Sequence, residues 1–155
     1  MTSDFLTQLP ILLRLLADPR TPHTSSELWC RVTTFGWEEC EPVLLAELKS
    51  DNSDVQRLVI AIVEEQAEHA GIDSIQNFVR PIVTLLSHDD RLVRVCAVSA
   101  VGGLMIDDQN AADSLRQIVR KDEPTIARSA LQVLLAFDDK FVQEVAEWFR
   151  DRSTN

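Results

Sequence analysis

The segment LSHDDRLVRVCAVSAVGG, residues 86–103, decides the fold of this chain. It places one apolar residue before an acidic turn, and the turn is followed by a long run of apolar and small residues. Two further segments superpose on it without gaps, LKSDNSDVQRLVIAIVEE from Leu48 and VRKDEPTIARSALQVLLA from Val119. Equivalent positions in successive copies are 38 and 33 residues apart. This spacing is typical of a repeat that contains two helices.

The pattern of apolar residues indicates that each repeat pairs two different helices. The run after each acidic turn is apolar around most of its circumference, so such a helix must be covered on several sides. The segment before each turn is amphipathic. Each run extends past ten residues, which favours helices over strands. We therefore predict an all-α fold, a right-handed α-solenoid of about four antiparallel helix pairs with a C-terminal capping helix.

The repeat boundaries follow from the turn residues and the apolar spacing. We predict a single domain over residues 1–155, with repeats at 5–36, 41–70, 74–106 and 110–136 and a cap at 138–152. The first repeat is degenerate, with two prolines between its helices. The last helix has one apolar and one polar face, which suits the end of an open stack. Gly102 and Gly103 are expected to let a neighbouring helix approach closely.

The residues that carry this pattern resemble HEAT repeats, including the HEAT-like repeats of phycobilisome-lyase-type proteins. The resemblance rests on SHDDRLVRVCAVSAVGGL, residues 87–104, in which an acidic turn precedes Val-Arg and a helix of small residues. It is good over 79–105, fair over 43–65 and 112–136, and poor over 1–36. The resemblance implies a scaffold or binding surface, and it supplies no common catalytic site.

Composition narrows the classes of function. The chain has 155 residues, a net charge of −10 and a pI near 4.7. Binding to nucleic acid needs a basic surface, so we predict no nucleic-acid partner. The longest apolar segment without charge, residues 95–106, is shorter than the roughly 20 residues of a membrane span, so no membrane association is predicted. The start of the chain lacks a basic leader pattern, and we expect a cytoplasmic protein.

Cysteine usage gives two expectations. The three cysteines form no CxxC pair and imply no disulfide framework. Cys30 and Cys96 lie in apolar helical patterns and are predicted to be small core residues. Cys40, between Glu39 and Glu41, is predicted to be an exposed thiol. Its acidic neighbours should raise its pKa, which is the wrong direction for a catalytic nucleophile.

Metal, cofactor and catalytic motifs are missing from the sequence. His23, His69 and His88 are isolated from one another, and Glu65 with His69 supplies two ligands where zinc needs three or four. A mild ion pair at a solvated helix end is the simpler interpretation of Glu65 and His69. Neither GxGxxG nor a phosphate-binding loop occurs. We predict no catalytic residue, no cofactor and no metal site.

Three arginines follow the acidic turns. They are expected to pair with turn aspartates and to connect one helix pair to the next. This structural ladder would comprise Arg57, Arg94 and Arg128 with Asp54, Asp89, Asp90 and Asp122. The alternative is that the arginines bind an anionic ligand on the inner face.

The acidic residues are unevenly distributed. If helices alternate in direction, every connection between pairs lies on one edge of the stack. That edge holds 12 of the 25 acidic residues and, from the 15 lysines and arginines, Lys140 alone. Like charges along an edge repel one another and accelerate association with a basic partner. A rim that only keeps the chain soluble is the competing interpretation.

These observations lead to two functional hypotheses. The first is a non-catalytic module that binds a basic protein. In one form of this hypothesis the chain is an inhibitor or immunity-type protein that blocks a basic toxin or nuclease. Its predicted contact residues are Glu64, Glu65, Glu68, Asp107, Asp108, Asp138, Asp139, Ser99 and Gln132. The second is an enzyme or enzyme accessory, such as a bilin lyase or chaperone. It rests on the resemblance alone, with Trp29, Trp37 and Cys40 as pocket-lining groups. The oligomeric state is not predicted.

Overall fold

The computed structural model describes residues 2–18, 24–137, 143–144, 146–147 and 150. Between residues 2 and 137 these ranges form eight α-helices and no strand. The helices are α1 (Thr2–Leu16), α2 (Thr24–Phe35), α3 (Trp37–Leu48), α4 (Ser53–Ala70), α5 (Gln76–Leu85), α6 (Arg91–Gly103), α7 (Gln109–Lys121) and α8 (Pro124–Phe137). A short 3-10 helix, Ile72–Ile75, precedes α5.

The helices form two rows. The second helices of successive pairs, α2, α4, α6 and α8, pack closely side by side, whereas the first helices, α1, α3, α5 and α7, form a looser row. Because the second helices approach one another more closely, they form the inner side of the stack. This arrangement confirms the prediction of an all-α solenoid. In the first pair, α1 and α2 each pack on both α3 and α4.

Helix α4 shows why its sequence is apolar on several sides. It contacts α2, α3 and α6, so it has little surface left for solvent. Val55, Val59, Ile62 and Val63 are all fully buried. Burying side chains of this size contributes about 1.5–3 kcal/mol each to folding, before the entropy of ordering them is counted. The expectation that the second helices are covered on several sides is confirmed for α4.

Short polar side chains begin the helices. The side chains of Asn52, Asp90 and Asp108 accept hydrogen bonds from backbone N–H groups in the first turns of α4, α6 and α7. These bonds satisfy donors that have no partner inside the helix. Gly71, with φ 86°, ends α4 in a conformation that disfavours any residue with a Cβ. The turns therefore follow local chemistry that is visible in the sequence.

The helix ends differ from the predicted repeat boundaries by a few residues, most of all at the start of the second pair. Helix α3 begins at Trp37 instead of residue 41, because Gly36 (φ 141°) lets the chain pass directly from α2 into α3. The predicted cap at 138–152 lies mainly outside the described residues. Its described positions, 143–144, 146–147 and 150, are helical.

Gly102 marks a close approach between α6 and α8. A Cβ added to Gly102 would lie 2.7 Å from Cγ2 of Val133, a distance that real Cβ contacts do not reach. At Gly103 the nearest atom would be a carboxylate oxygen of Glu64, 4.0 Å away. The glycine pair therefore serves close helix packing, as expected from the sequence, and Gly102 is the residue that does so.

This difference gives a matched pair of stability predictions. Gly102→Ala should lower the free energy of unfolding by about 1–2 kcal/mol, because the clash outweighs the gain in helix propensity. Gly103→Ala should raise it by up to about 1 kcal/mol, since it gains propensity without a clash. Urea unfolding followed by circular dichroism measures both changes. Adding Val133→Ala to Gly102→Ala should recover most of the loss, and equal effects of the two single substitutions would contradict the packing assignment.

Candidate interaction surface at the inter-repeat edge

The connections between helix pairs lie on one edge of the stack. At this edge Trp37 Nε1 donates to the carbonyl of Ser74 over 3.1 Å, and Asn77 donates to Glu41, so the beginnings of α3 and α5 are held together. The ends of α4 and α6 lie side by side there, since the Glu64 carboxylate is next to Gly103. We call residues 36–41, 64–76 and 104–113 the inter-repeat edge.

Several carboxylates of the inter-repeat edge have local structural roles. Asp108 caps α7 by accepting from the Ala111 N–H over 3.0 Å. Glu65 accepts from the Ser26 hydroxyl over 2.6 Å and so connects α4 to α2. Asp113 accepts from Arg116 over 2.7 Å within α7. Reversing the charge of these residues would therefore disturb the fold as well as the surface.

Other carboxylates of the edge are free. Glu38, Glu68, Asp73 and Asp107 are exposed, and none of them makes a hydrogen bond or ion pair with any residue that the structure describes. Two predicted members of the edge, Asp138 and Asp139, lie outside the described residues. The free carboxylates come from three different connections, and they are the ones available to a partner.

Glu64 is half-buried between the ends of α4 and α6. Burial, together with repulsion from Glu65, raises its pKa above the ordinary value. A carboxyl group whose pKa is raised in the folded state destabilises that state when it is ionised. The ionised Glu64 side chain, one of the predicted contact residues, therefore lowers the stability of the folded state at neutral pH.

This cost predicts the effect of removing the charge. Glu64→Gln should raise the free energy of unfolding at pH 7 by less than about 1 kcal/mol, because the uncharged amide lacks the desolvation and repulsion of the carboxylate. The gain should vanish near pH 3, where Glu64 is protonated in both states, and grow as the pH rises through its folded-state pKa. Urea titrations across this range measure the gain. The exposed Glu68→Gln serves as control, and a gain that is independent of pH would contradict the assignment.

Met105 is an exposed apolar residue on the inter-repeat edge, and its backbone is strained. It follows α6 with φ 50°, in the left-handed region that favours glycine. The N–H of Met105 bonds to the carbonyl of Gly102, and the N–H of Ile106 bonds to that of Val101. These two bonds close the helix in the way that usually places glycine at the Met105 position. Here the position holds a methionine that is 72% exposed.

A second apolar residue lies on the preceding connection. Ile72 begins the 3-10 helix after α4 and is 39% exposed, next to the free carboxylate of Asp73. On the next connection Met105 precedes Asp107, with the buried Ile106 between them. The inter-repeat edge therefore combines free negative charges with exposed apolar side chains. Sequence reasoning missed both apolar residues, although the apolar run that continues past Gly103 into Met105 and Ile106 could have indicated one of them.

The inner helices supply the remaining predicted contact positions. Ser99 on α6 and Gln132 on α8 are exposed, at equivalent places in their repeats, whereas Ala61 on α4 is half-buried. Exposed apolar side chains accompany them, namely Leu92 and Val95 on α6 and Leu135 on α8. Ser99 and Gln132 are accessible, as a role in binding requires.

The opposite edge, formed by the turns within pairs, is held by Arg94. Its guanidinium donates twice to the carboxylate of Asp122, over 2.6 and 3.0 Å, and also to the carbonyls of His88 and Asp89. The paired guanidinium holds the pKa of Asp122 below its ordinary value. This bidentate, largely buried ion pair connects the third helix pair to the fourth.

The other members of the predicted ladder are arranged less regularly. Arg57 pairs with Asp54 in its own helix and, with Ser53, favours the charged form of Asp90 in the next pair. The Leu92 N–H is the main cause of the lowered pKa of Asp90. Arg128 is exposed and makes no ion pair with the described residues. The structure therefore brings Arg57 and Arg94, but not Arg128, to turn aspartates.

Two cysteine predictions are wrong. Cys40 is fully buried, because its side chain points from α3 towards α2, with Sγ 4.0 Å from the Val32 carbonyl oxygen. The flanking residues Glu39 and Glu41 are more exposed, because neighbours in a helix point in different directions. Burial is the main cause, and Glu39 the lesser one, of a Cys40 pKa of about 11. Cys30 is exposed, since α2 uses Leu28 and Val32 for its core face. Cys96 is half-buried.

The groups considered for a pocket or metal site are engaged in packing. Trp29 stacks on His69, with ring centres 4.3 Å apart, and donates to Gln66 over 2.9 Å. Trp37 packs on Phe78. The side chains of Trp29, Trp37 and Cys40 are thus directed to α4, α5 and α2, respectively. His69 approaches Glu65 to 3.9 Å. Within the described ranges, no three His, Cys, Asp or Glu side chains meet in a way that could hold a metal ion.

Comparison with known proteins agrees with this geometry. The family model for HEAT repeats matches residues 41–136. Neither the curated proteins nor the solved structures gave a match. No helix of the described chain is both long and apolar enough to cross a bilayer. The match is to HEAT repeats in general, so the closer resemblance to phycobilisome-lyase-type proteins stays a prediction. Because the matched residues make up more than half of the chain, this protein belongs to the HEAT-repeat family.

Proposed function

We propose that this protein is a non-catalytic interaction module that binds a basic protein partner through its inter-repeat edge. HEAT repeats generally serve as scaffolds for protein interactions, and the inter-repeat edge is the surface that we assign to this role. The free carboxylates Glu68, Asp73 and Asp107 would attract lysine and arginine side chains. Ile72 and Met105 would supply the apolar contacts that carry most of the affinity in protein interfaces.

Met105 is the observation that carries the proposal. A rim that served solubility alone would need neither an exposed methionine nor a residue other than glycine in the left-handed region. Backbone strain of this kind costs about 1–3 kcal/mol and is concentrated at functional sites. Methionine is also common on binding surfaces because its flexible thioether adapts to different partners. The combination favours a binding surface over a solubility rim.

The partner class follows from the surface chemistry. A basic protein with one or two apolar side chains among its lysines and arginines complements the inter-repeat edge. A protein that inhibits a basic enzyme, such as a nuclease or toxin, would use a surface of this kind. Ser99 and Gln132 extend the same surface onto the inner helices. Glu65 and Asp108 would contribute to its field while they also hold the fold, and Glu64 would contribute at a cost in stability.

Substitution of Met105 by glycine tests the proposal, because stability and binding should change in opposite directions. Met105→Gly should raise the free energy of unfolding by about 0.5–1 kcal/mol, since glycine tolerates the left-handed conformation. It should lower capture of the partner at least about tenfold by removing an apolar anchor. Capture from extract of the source organism, quantified by mass spectrometry, measures the second effect.

Leu15→Ala is the matched control for this experiment. Leu15 lies on α1, far along the chain from the edge, and is 68% exposed, close to the value for Met105. We expect its truncation to leave capture unchanged. Loss of capture with Leu15→Ala, or full capture with Met105→Gly, would show that the inter-repeat edge is not the binding surface.

A further inference from the structure

A cleft of about 810 Å³ opens on the side of the first helices, between α3 and α5. At the inter-repeat edge the two helices are held together by Trp37 and Phe78, whose ring centres are 5.7 Å apart. The cleft follows α5 from Gln76 and Asn77, at its beginning, to Leu85, where Leu48 lines it beside the turn after α3. Gln56 of α4 contributes to its lining from behind. Its volume is in the range of sites that hold small ligands or short peptide segments.

Gln56, which lines this cleft, has a buried acceptor without a partner among the described residues. The residue is only 3% exposed, and its amide nitrogen donates to the carbonyl of Leu48 over 3.1 Å. Its carbonyl oxygen, Oε1, has no hydrogen-bond partner among the described residues. A buried polar atom without a partner costs about 1–3 kcal/mol. A ligand with an N–H group in the cleft would supply the missing donor.

The next repeat has only a small, shallow cavity at the same place. Arg94 occupies the position in α6 that Gln56 occupies in α4, and the corresponding cavity measures about 230 Å³. There the guanidinium is fully engaged with Asp122 and with the carbonyls of the turn. In the second pair the shorter Gln56 replaces this arginine and leaves the cleft open. The open cleft is thus a departure from the repeat pattern and not a general feature of the fold.

Cationic and N–H donors surround the opening. Lys49, Arg80 and His88 line the cleft, and neither Lys49 nor Arg80 pairs with a carboxylate among the residues that the structure describes. Nδ1 of His88 accepts from the Asp90 N–H over 2.9 Å, so Nε2 carries the hydrogen of the neutral ring. On a chain with a net charge of −10, such a grouping of donors indicates a site for an anion.

We propose that this cleft binds a peptide segment that carries a carboxylate side chain. The carboxylate would contact Arg80, whose planar guanidinium suits two parallel hydrogen bonds, together with Lys49 and His88. A peptide N–H would donate to Oε1 of Gln56. Asp51 also lines the cleft, where it disfavours a doubly charged phosphate and can accept a second peptide N–H. The proposal concerns the cleft along α5, whose cationic residues lie away from the free carboxylates of the inter-repeat edge, and it does not depend on the proposed function.

NMR titration with two peptides whose termini are blocked tests the site. The probes are N-acetyl-Ala-Glu-Glu-Ala amide and its Gln-Gln counterpart, with inorganic phosphate as a third titrant. The Glu-Glu peptide should give saturable shifts of backbone amides at 48–51 and 80–88 and of the Gln56 side-chain amide. Lys49→Gln with Arg80→Gln should weaken its binding at least about tenfold. Arg31→Gln with Arg128→Gln, which removes the same charge elsewhere, should change binding less than about twofold.

Several results would overturn the proposal. Saturable shifts with the Gln-Gln peptide of equal strength would show that the carboxylate is not recognised. Shifts with phosphate but not with peptide would show a simple anion site. The absence of saturable shifts at millimolar peptide, or equal weakening by both double variants, would show that the cleft is not a peptide site. Far-UV circular dichroism of each variant shows whether the fold is retained.

Discussion

Replacement of Arg94 by methionine is expected to lower the free energy of unfolding by about 2–4 kcal/mol. The Arg94–Asp122 pair is largely shielded, with side-chain exposures of 19% and 9%, and the substitution leaves the carboxylate of Asp122 without its cation. It also removes the donors to the carbonyls of His88 and Asp89. Breaking a fully buried pair costs about 3–5 kcal/mol and an exposed pair at most about 1 kcal/mol, so this pair lies between them. Urea unfolding measures the loss.

Arg91→Met is the matched control, three residues earlier in the same helix. Arg91 pairs with Glu123, but both side chains are about half exposed, at 47% and 53%. The expected loss is below about 1 kcal/mol, because solvent screens the pair. Equal losses for Arg91→Met and Arg94→Met would contradict the view that Arg94 joins the third and fourth helix pairs.

The pH dependence of the Arg94→Met effect follows from Asp122. Its pKa is lowered in the folded state, so its contribution to stability is present above the unfolded value of about 3.9 and is lost as the pH falls through the folded value. The difference between the two proteins should therefore narrow below about pH 4. A difference that stays constant down to pH 3 would mean that the ion pair is not its source.

Reversal of two free carboxylates on the inter-repeat edge is expected to weaken capture of the partner about 100-fold. Glu68→Lys with Asp107→Lys places positive charges where a basic partner approaches, and such repulsion costs several kcal/mol. Neither side chain bonds to any residue in the described part of the chain, so folding should be unaffected within about 0.5 kcal/mol. Capture at low salt measures the effect. Wild-type capture should also fall as salt is raised, because the attraction is screened.

Asp51→Lys with Asp89→Lys changes the net charge equally on the opposite edge. Both residues are exposed and lie in turns within helix pairs. If position matters, this variant should capture the partner as the wild type does. If the two double variants lose capture to the same extent, net charge is responsible, and the inter-repeat edge has no special role.

The repeat architecture could be predicted from sequence because it depends on local patterns. The acidic turns, the apolar second helices and Gly102 each have a physical effect that extends over one or two helical turns. The ladder was predictable in part, since Arg94 does reach an aspartate of a turn. Arg128 does not, because the pattern of the last repeat supplies no carboxylate within its reach among the described residues.

The details of the candidate sites depend on how the helices pack, and the spacing of residues in the sequence does not determine this packing. Cys40 was expected to be exposed because Glu39 and Glu41 flank it, but neighbours in a helix point in directions about 100° apart. The left-handed conformation of Met105 depends on Ile106 being drawn back into the core, where it is 6% exposed. The cleft at Gln56 lies between α3 and α5, where Gln56 stands in place of the arginine of the next repeat, and its volume depends on how these helices pack. None of these features has a sequence motif.

Hydrogen exchange of the chain with and without its captured partner tests the central assignment most directly. If the inter-repeat edge is the binding surface, backbone amides in residues 66–76 and 104–110 should exchange more slowly in the complex. Amides of the turns at 49–52 and 87–90 should be unaffected. Slower exchange at those turns alone, with residues 66–76 and 104–110 unchanged, would place the partner on the other edge and contradict the account.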